Sequence, residues 1–590
     1  MKNPKRPWLL ISQLLILLAG LPVAANPAAD AFHDLLAQDW EWQMREFPQF
    51  ASYTGDHRFD HALTEVGVTF EANRNKKRLA FREQLRAIDR SELSPADQLN
   101  YDIYARNLNQ AIEGYENKTY FFPLTNRSGF HLSFARYPEG VATRNEDDYN
   151  DYLSRLKAFG RYTDQQIGLL KQAIEEGYVL PKVVMEGYED SIKTHMADQI
   201  EDSVFYKPFA SFPDRIDKEK AKSIEAAGRK VIGEVVIPAY RRYYDFMVKE
   251  YLPACREELG AHALPNGDKL YAHLVRHFTT LDVTAEEVHQ KGLSEVKRIR
   301  AEMEKVKAKT GFEGDFAAFL KYLRTDPKFY PKTADELLRE ASYICKQMDG
   351  QLPKLFKKLP RTPYGIKVIP DDIAPKTTGA YYQQPSGDGT KAGFYYLNTY
   401  ALDSRPLYIL ESLSFHEAVP GHHLQLAYQQ ELEDVPIFRR FSEVGAFVEG
   451  WALYAERLGL ELGFYQDHYR DFGRLTYEMW RACRLVVDTG IHAKGWKRSQ
   501  AIEYMASNTA LSRHEITTEV DRYISWPGQA LGYKMGEIKI RELREKAEKA
   551  LGDQFDVREF HDVVLRNGSI PLNILATQVQ AYIDTAKATH

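Results

Sequence analysis

From about residue 30 to about residue 360, apolar residues recur mostly three and four positions apart, the spacing of amphipathic helices. The stretch DDYNDYLSRLKAFGRYTDQQIGLLKQAIEEGYV predicts one long helix from Asp147, closed before Pro181. A second is predicted from Thr284, an N-cap with Glu287 three residues on, to Gly311. A third starts at Thr333. Between about 364 and 400 the pattern changes. YGIKVIP and GAYYQQPSGDGTKAGFYYLNTY are rich in Tyr, Gly and Val and read as a few short strands. Helical spacing then resumes to the end, except around ISWPGQALGYK. No fixed-period repeat is visible, which excludes a solenoid signature. The expected fold is mainly α, with a small β-sheet just ahead of the region richest in chemistry.

Length and composition refine this picture. The chain has 590 residues, 44% of them hydrophobic, enough to bury a large core in one or two closely packed domains. No Pro-, Gly- or Ser-rich linker divides it. Residues 26–590 therefore read as one large domain, with at most a soft boundary near 360 and the catalytic half at about 360–590. The net charge of −5, with no long basic run, argues against a nucleic-acid partner. The first residues are basic (MKNPKR), then apolar (WLLISQLLILLAGLPVA), then small (Val23-Ala24-Ala25). This is the order of a cleavable signal peptide spanning residues 1–25, so the expected product is periplasmic or secreted, with no stable membrane insertion. No cysteine lies near that site, which argues against a lipid anchor. Cys255, Cys345 and Cys483 are far apart and odd in number. They form no disulfide framework and lack zinc-ligand spacing. Oligomeric state cannot be read from the sequence.

The chemistry concentrates in SLSFHEAVPGHHLQLAY, residues 412–428. A zinc-binding helix normally carries H-E-x-x-H, but the position four after His416 is Pro420, and the next histidines are His422 and His423. A helix running from near Ser404 or Pro406 would place His416 and Glu417 about three turns in. Pro420 lacks an N–H and crowds the carbonyl four residues back, so the helix must bulge or restart at Pro420-Gly421. On an unbroken helix His423 would lie about 10 Å further along the axis than His416, too far for zinc–nitrogen bonds of about 2.0–2.1 Å. With Pro420-Gly421 absorbed, His422 takes the second ligand position, and His423 is the alternative. A third ligand is expected from FVEGWALYAERLG: Glu449, with Glu456 as competitor or supporting partner. The small Gly450 would let this helix approach another closely. Such a set, His416, His422 and Glu449, suits Zn2+ and leaves Glu417 as general base.

Together, ESLSFHEAVPGHHLQ, EGWALYAERLG, RLVVDTGIHAKGW and DRYISWPGQALGYKMG resemble a large bacterial family of exported proteins filed as a domain of unknown function with predicted metallopeptidase character. More distantly, the arrangement is similar to helical zinc peptidases of the thimet oligopeptidase and Taq carboxypeptidase type, whose H-E-x-G-H-A-L motif matches Gly421-His422 once two residues are inserted. The resemblance implies a zincin-like helical fold and hydrolysis of short peptides, in oligopeptidase or carboxypeptidase mode. It makes Tyr533 the oxyanion donor, with Tyr523 second. His492 is a candidate for another donor, with Asp488 orienting it or a zinc-bound histidine, and Arg522 for a substrate carboxylate. The segment GTKAGFYYLNTY would suit an exposed edge strand that pairs with a peptide main chain. Two rival expectations are a metal-dependent hydrolase of another amide or ester, and a periplasmic binding protein with a vestigial metal site.

Overall fold

A computed structural model describes residues 26–588 except 372, 387, 388 and 390; the signal-peptide segment expected at 1–25 lies outside the described residues. The protein is mainly helical with one small three-stranded sheet. The helices that matter for the site are α1 (Pro95–Glu116), α2 (Glu146–Glu175), α3 (Gly267–Thr279) and α4 (Ala285–Lys309) in the first part of the chain. The strands follow as β1 (Tyr364–Val368), β2 (Ala380–Gln383) and β3 (Gly393–Leu397), and after them α5 (Leu410–Glu417), α6 (His422–Gln430), α7 (Gly445–Leu458), α8 (His468–Lys494), α9 (Arg513–Ser525) and α10 (Leu531–Leu551).

Local chemistry sets these boundaries. Asn145 caps α2 and Thr284 caps α4, each in a reciprocal capping box with the residue three positions on, Asp148 and Glu287. The α2 helix ends at Glu175, earlier than Pro181, where Gly177 adopts a left-handed φ of 78°. The helix after Thr333 runs Ala334–Asp349. One apolar core extends from Leu63 to Ile583 and includes residues on both sides of position 360. All three cysteines are buried free thiols. Among the described residues, no helix is long and apolar enough to cross a membrane.

The sheet order is β1-β3-β2, with β1 parallel and β2 antiparallel to β3. The expectation of an edge strand at GTKAGFYYLNTY is therefore corrected. Its strand, β3, is central, because Gly393–Leu397 pairs along both sides.

Helices α7 and α10 meet through small residues. A Cβ on Gly450 would stand 2.5 Å from the Gly536 Cα, and one on Gly536 would run into the Ala446 carbonyl. Glycine here permits the close backbone approach anticipated for Gly450. Gly536→Val is expected to destabilise the protein by at least about 1–3 kcal/mol, the usual cost of overpacking a filled contact, read as a lower thermal midpoint.

Candidate metal centre

The α5 helix begins only at Leu410, after a 3-10 turn at Leu407–Ile409 capped by Pro406. His416 thus lies within the second turn, nearer the helix start than the three turns expected. The α5 helix stops at Glu417, the backbone turns away at Ala418 (ψ −108°), and α6 starts afresh with His422. The motif resolves as a restart. The Val419–Pro420 bond is cis, and the Pro420 carbonyl accepts a hydrogen bond from the Trp451 indole at 2.9 Å. A Cβ at Gly421 would strike the carbonyls of Phe415 and His416, so only glycine lets α6 begin this close to the end of α5.

This break brings three ligand atoms together. His416 Nε2 and His422 Nε2 each lie 3.5 Å from Glu449 Oε2, and the whole set falls within 4.8 Å. Ligands about 2.0–2.1 Å from a tetrahedral ion stand about 3.3 Å apart, so the spacing fits zinc. The donor chemistry fits as well. Glu449 Oε2 is buried and makes no hydrogen bond to protein, a costly condition unless a cation satisfies it. His416 Nδ1 is 2.9 Å from Glu456 Oε1, and Arg481 Nη2 lies 3.3 Å from the same oxygen. Glu456 is therefore the supporting partner: it orients His416 so that Nε2 faces the cluster.

The sheet decides between the two adjacent histidines. His423 Nδ1 is 2.8 Å from the Tyr382 hydroxyl on β2, and its ring packs on Tyr364 of β1 with centroids 4.7 Å apart. Burial holds its pKa down at about 4. His423 is thus tied to the sheet, and His422 faces Glu449.

Electrostatics follow from this geometry. Burial pushes the His416 imidazole down, but the facing carboxylates of Glu449 and Glu456 outweigh it and hold its pKa up at about 9. Burial pushes Glu449 up, but His422 and His416 hold it well below the usual carboxylate range. Glu417 is buried, and burial raises its pKa against the opposing pull of His416 and His422.

The other candidates divide. Tyr533 is half-buried, and its ring stacks on Arg484, whose Cζ is 4.2 Å from the centroid. Burial and then the Glu449 charge raise the phenol's pKa, so it stays a proton-bearing donor beside the cluster. Four expectations are corrected. Both ring nitrogens of His492 are engaged by backbone, Nδ1 by Ala261 N–H at 3.0 Å and Nε2 by the Tyr523 carbonyl at 2.9 Å, leaving no donor for a substrate. The Tyr523 hydroxyl accepts from Trp480 and Arg484 and donates to Glu519, each at 2.9 Å, so it is saturated. Arg522 forms a two-pronged pair with Glu519 at 3.1 and 2.8 Å and also contacts Gln529. It is an internal salt bridge. Asp488 orients neither His492 nor a ligand: it accepts from Tyr271 at 2.6 Å and from the Gly528 N–H, fixing the loop before α10. Arg481 and Arg484 were missed. The available signal was two arginines interrupting the otherwise apolar stretch of α8 around Cys483 and Leu485.

A second carboxylate group, Glu295, Glu478 and Glu537, already surrounds a cation. Lys534 Nζ lies 3.2, 2.9 and 2.8 Å from them, which anchors the residue next to Tyr533 and leaves no call for a metal.

A cleft of about 1000 Å³ reaches Glu449 and is lined by residues from both halves of the chain. Residues 48–579 match the family DUF885, described as bacterial protein of unknown function. The crystal structure of "the putative lipoprotein from Colwellia psychrerythraea" superposes with a TM-score of 0.87 at 28% identity, covering 95% of this chain and 100% of that one. "A putative lipoprotein of unknown function from Shewanella oneidensis" superposes with a TM-score of 0.72 at 20% identity over 93% and 99%, and shares the fold. No curated protein matches.

Proposed function

The chain belongs to the bacterial DUF885 family, and from that premise and the geometry of the cluster we propose that it is an exported zinc-dependent peptidase acting on short peptides. The observation that carries this reading is the Glu449 oxygen, buried, unbonded and 3.5 Å from both His416 Nε2 and His422 Nε2, beside the buried Glu417 carboxylate. Export is supported by the basic, apolar and small-residue order of the first residues and by likeness to the chain described as "the putative lipoprotein from Colwellia psychrerythraea".

His416, His422 and Glu449 would hold the ion. Zinc with such a donor set supplies Lewis acidity, acidifying water and polarising a carbonyl. The remaining steps belong to the chain's own residues. Glu417 takes a proton from the attacking water as the new C–O bond forms. It delivers that proton to the leaving nitrogen as the C–N bond breaks. The Tyr533 hydroxyl donates a hydrogen bond to the carbonyl oxygen as negative charge develops there. Arg484, stacked on Tyr533 and anchored by Glu519 at 3.0 Å, holds the phenol in place.

Elemental analysis of the purified protein and mass spectrometry of a peptide mixture test the reading. One zinc per chain and new peptide termini are expected. Failure to hold zinc after its addition would overturn the metal site. Bound zinc with turnover of esters or other amides, and none of peptides, would replace the substrate class.

A further inference from the structure

The cleft that reaches Glu449 carries several cationic side chains, and they differ in how far their charge is answered. Arg256 donates to the backbone carbonyls of Val179, Glu258, Leu259 and Gly260. His273 lies 3.3 Å from Glu113, which also takes Arg276. Arg78 makes no ion pair among the described residues, but the charge of Glu71 offsets part of the cost of its burial. Arg106, on α1, differs: it makes one long contact, 3.5 Å to the His277 carbonyl, and has no carboxylate partner among the described residues. Burial lowers its pKa with no charge offsetting the loss of solvation. A half-buried guanidinium that lines a cleft is matched in chemistry by a carboxylate, which it can hold through two parallel hydrogen bonds.

Its position relates it to the metal cluster. The His277 carbonyl that Arg106 touches is followed by Phe278, whose carbonyl would be 3.0 Å from a Cβ on Gly532. The same Cβ would be 3.4 Å from the Ala446 Cα. Ala446 precedes Glu449 by about one turn on α7, and Gly532 directly precedes Tyr533. Glu443, the exposed acid of the same cleft, is bonded to Gln384.

We propose that Arg106 is a substrate-binding residue that takes a carboxylate of the peptide, either its C-terminal carboxylate or an acidic side chain. The inference rests on the peptidase reading only for the ligand being a peptide. It favours substrates short enough to bring a carboxylate into the cleft that holds the scissile bond.

Binding, measured by calorimetry on the zinc-loaded Glu417→Gln protein, tests it without turnover. The probes are a neutral short peptide as free acid, the same peptide amidated, and an amidated peptide with one glutamate side chain. A carboxylate-bearing probe is expected to bind about tenfold to a hundredfold tighter than the neutral amide, the worth of a charge-assisted pair. That preference should vanish in Arg106→Met and survive in part in Arg106→Lys, with the thermal midpoints of both variants checking the fold. The preferred probe identifies the source of the carboxylate. Equal binding of all three probes, or a preference unchanged in Arg106→Met, would overturn the role of Arg106 while leaving the peptidase reading intact. No binding of any probe would count against the peptidase reading itself.

Discussion

Glu417→Gln is expected to lower peptide hydrolysis by about 10²–10⁴-fold, the usual contribution of a positioned acid–base group, while the zinc content stays at one per chain. The amide keeps the size and hydrogen bonding of the carboxyl but cannot accept the proton of the attacking water. Zinc retention is expected because Glu417 is not among the three residues whose ligand atoms converge. The pH profile gives a separate readout. The base works when deprotonated, and burial raises the Glu417 pKa above its ordinary 4.5. Activity should therefore fall on acidification through a value above 4.5, and this acid limb should be missing from the residual activity of Glu417→Gln. Unchanged cleavage in the variant would remove Glu417 from the role of base. Loss of zinc together with activity would instead make it part of the ion's support.

The sequence made the helical architecture legible because its helices carry their own boundary chemistry. Thr284 and Glu287 form the capping box expected of them, and the glycine pair Gly450 and Gly536 allows the helix contact that Gly450 alone suggested. The cluster was legible for a similar reason. Pro420 forbids a continuous helix, which removes His423 from the face of His416 and leaves His422 to turn inward. Unreadable was whatever depends on contacts between distant segments. His492 and Tyr523 have the residue types of a site, yet each is satisfied by a partner that no local pattern reveals, Ala261 or Trp480, whereas the pairing of Arg522 with Glu519 one turn earlier on α9 is a local i,i+3 contact. The central place of β3 likewise depends on pairing with β1 from 29 positions earlier in register, Tyr364 opposite Gly393, which composition cannot supply.

His422→Ala should lose zinc, and His423→Ala should keep it. On one strand-facing side, His423 is held by Tyr382 and Tyr364; its removal costs packing but no ligand. On the other side, His422 Nε2 is one of two imidazole nitrogens 3.5 Å from Glu449 Oε2 among the described residues, and its loss leaves two protein ligands where a zinc site needs three. Thermal unfolding reads this without reference to catalysis. Zinc that binds only the folded chain adds about 4 kcal/mol at a free concentration a thousandfold above its Kd. That gain should appear in the wild-type protein and in His423→Ala, and be absent in His422→Ala. Glu456→Gln should keep all three ligands but loosen the orientation of His416, lowering zinc affinity by about 10–100-fold. The facing carboxylates hold His416 at about 9, and coordination requires a neutral imidazole, so zinc binding near neutral pH should release a proton. Calorimetry in buffers of different ionisation enthalpy would detect it. The reverse pattern, with zinc lost in His423→Ala and kept in His422→Ala, would move the second ligand to the residue tied to the sheet and require Tyr382 to release it.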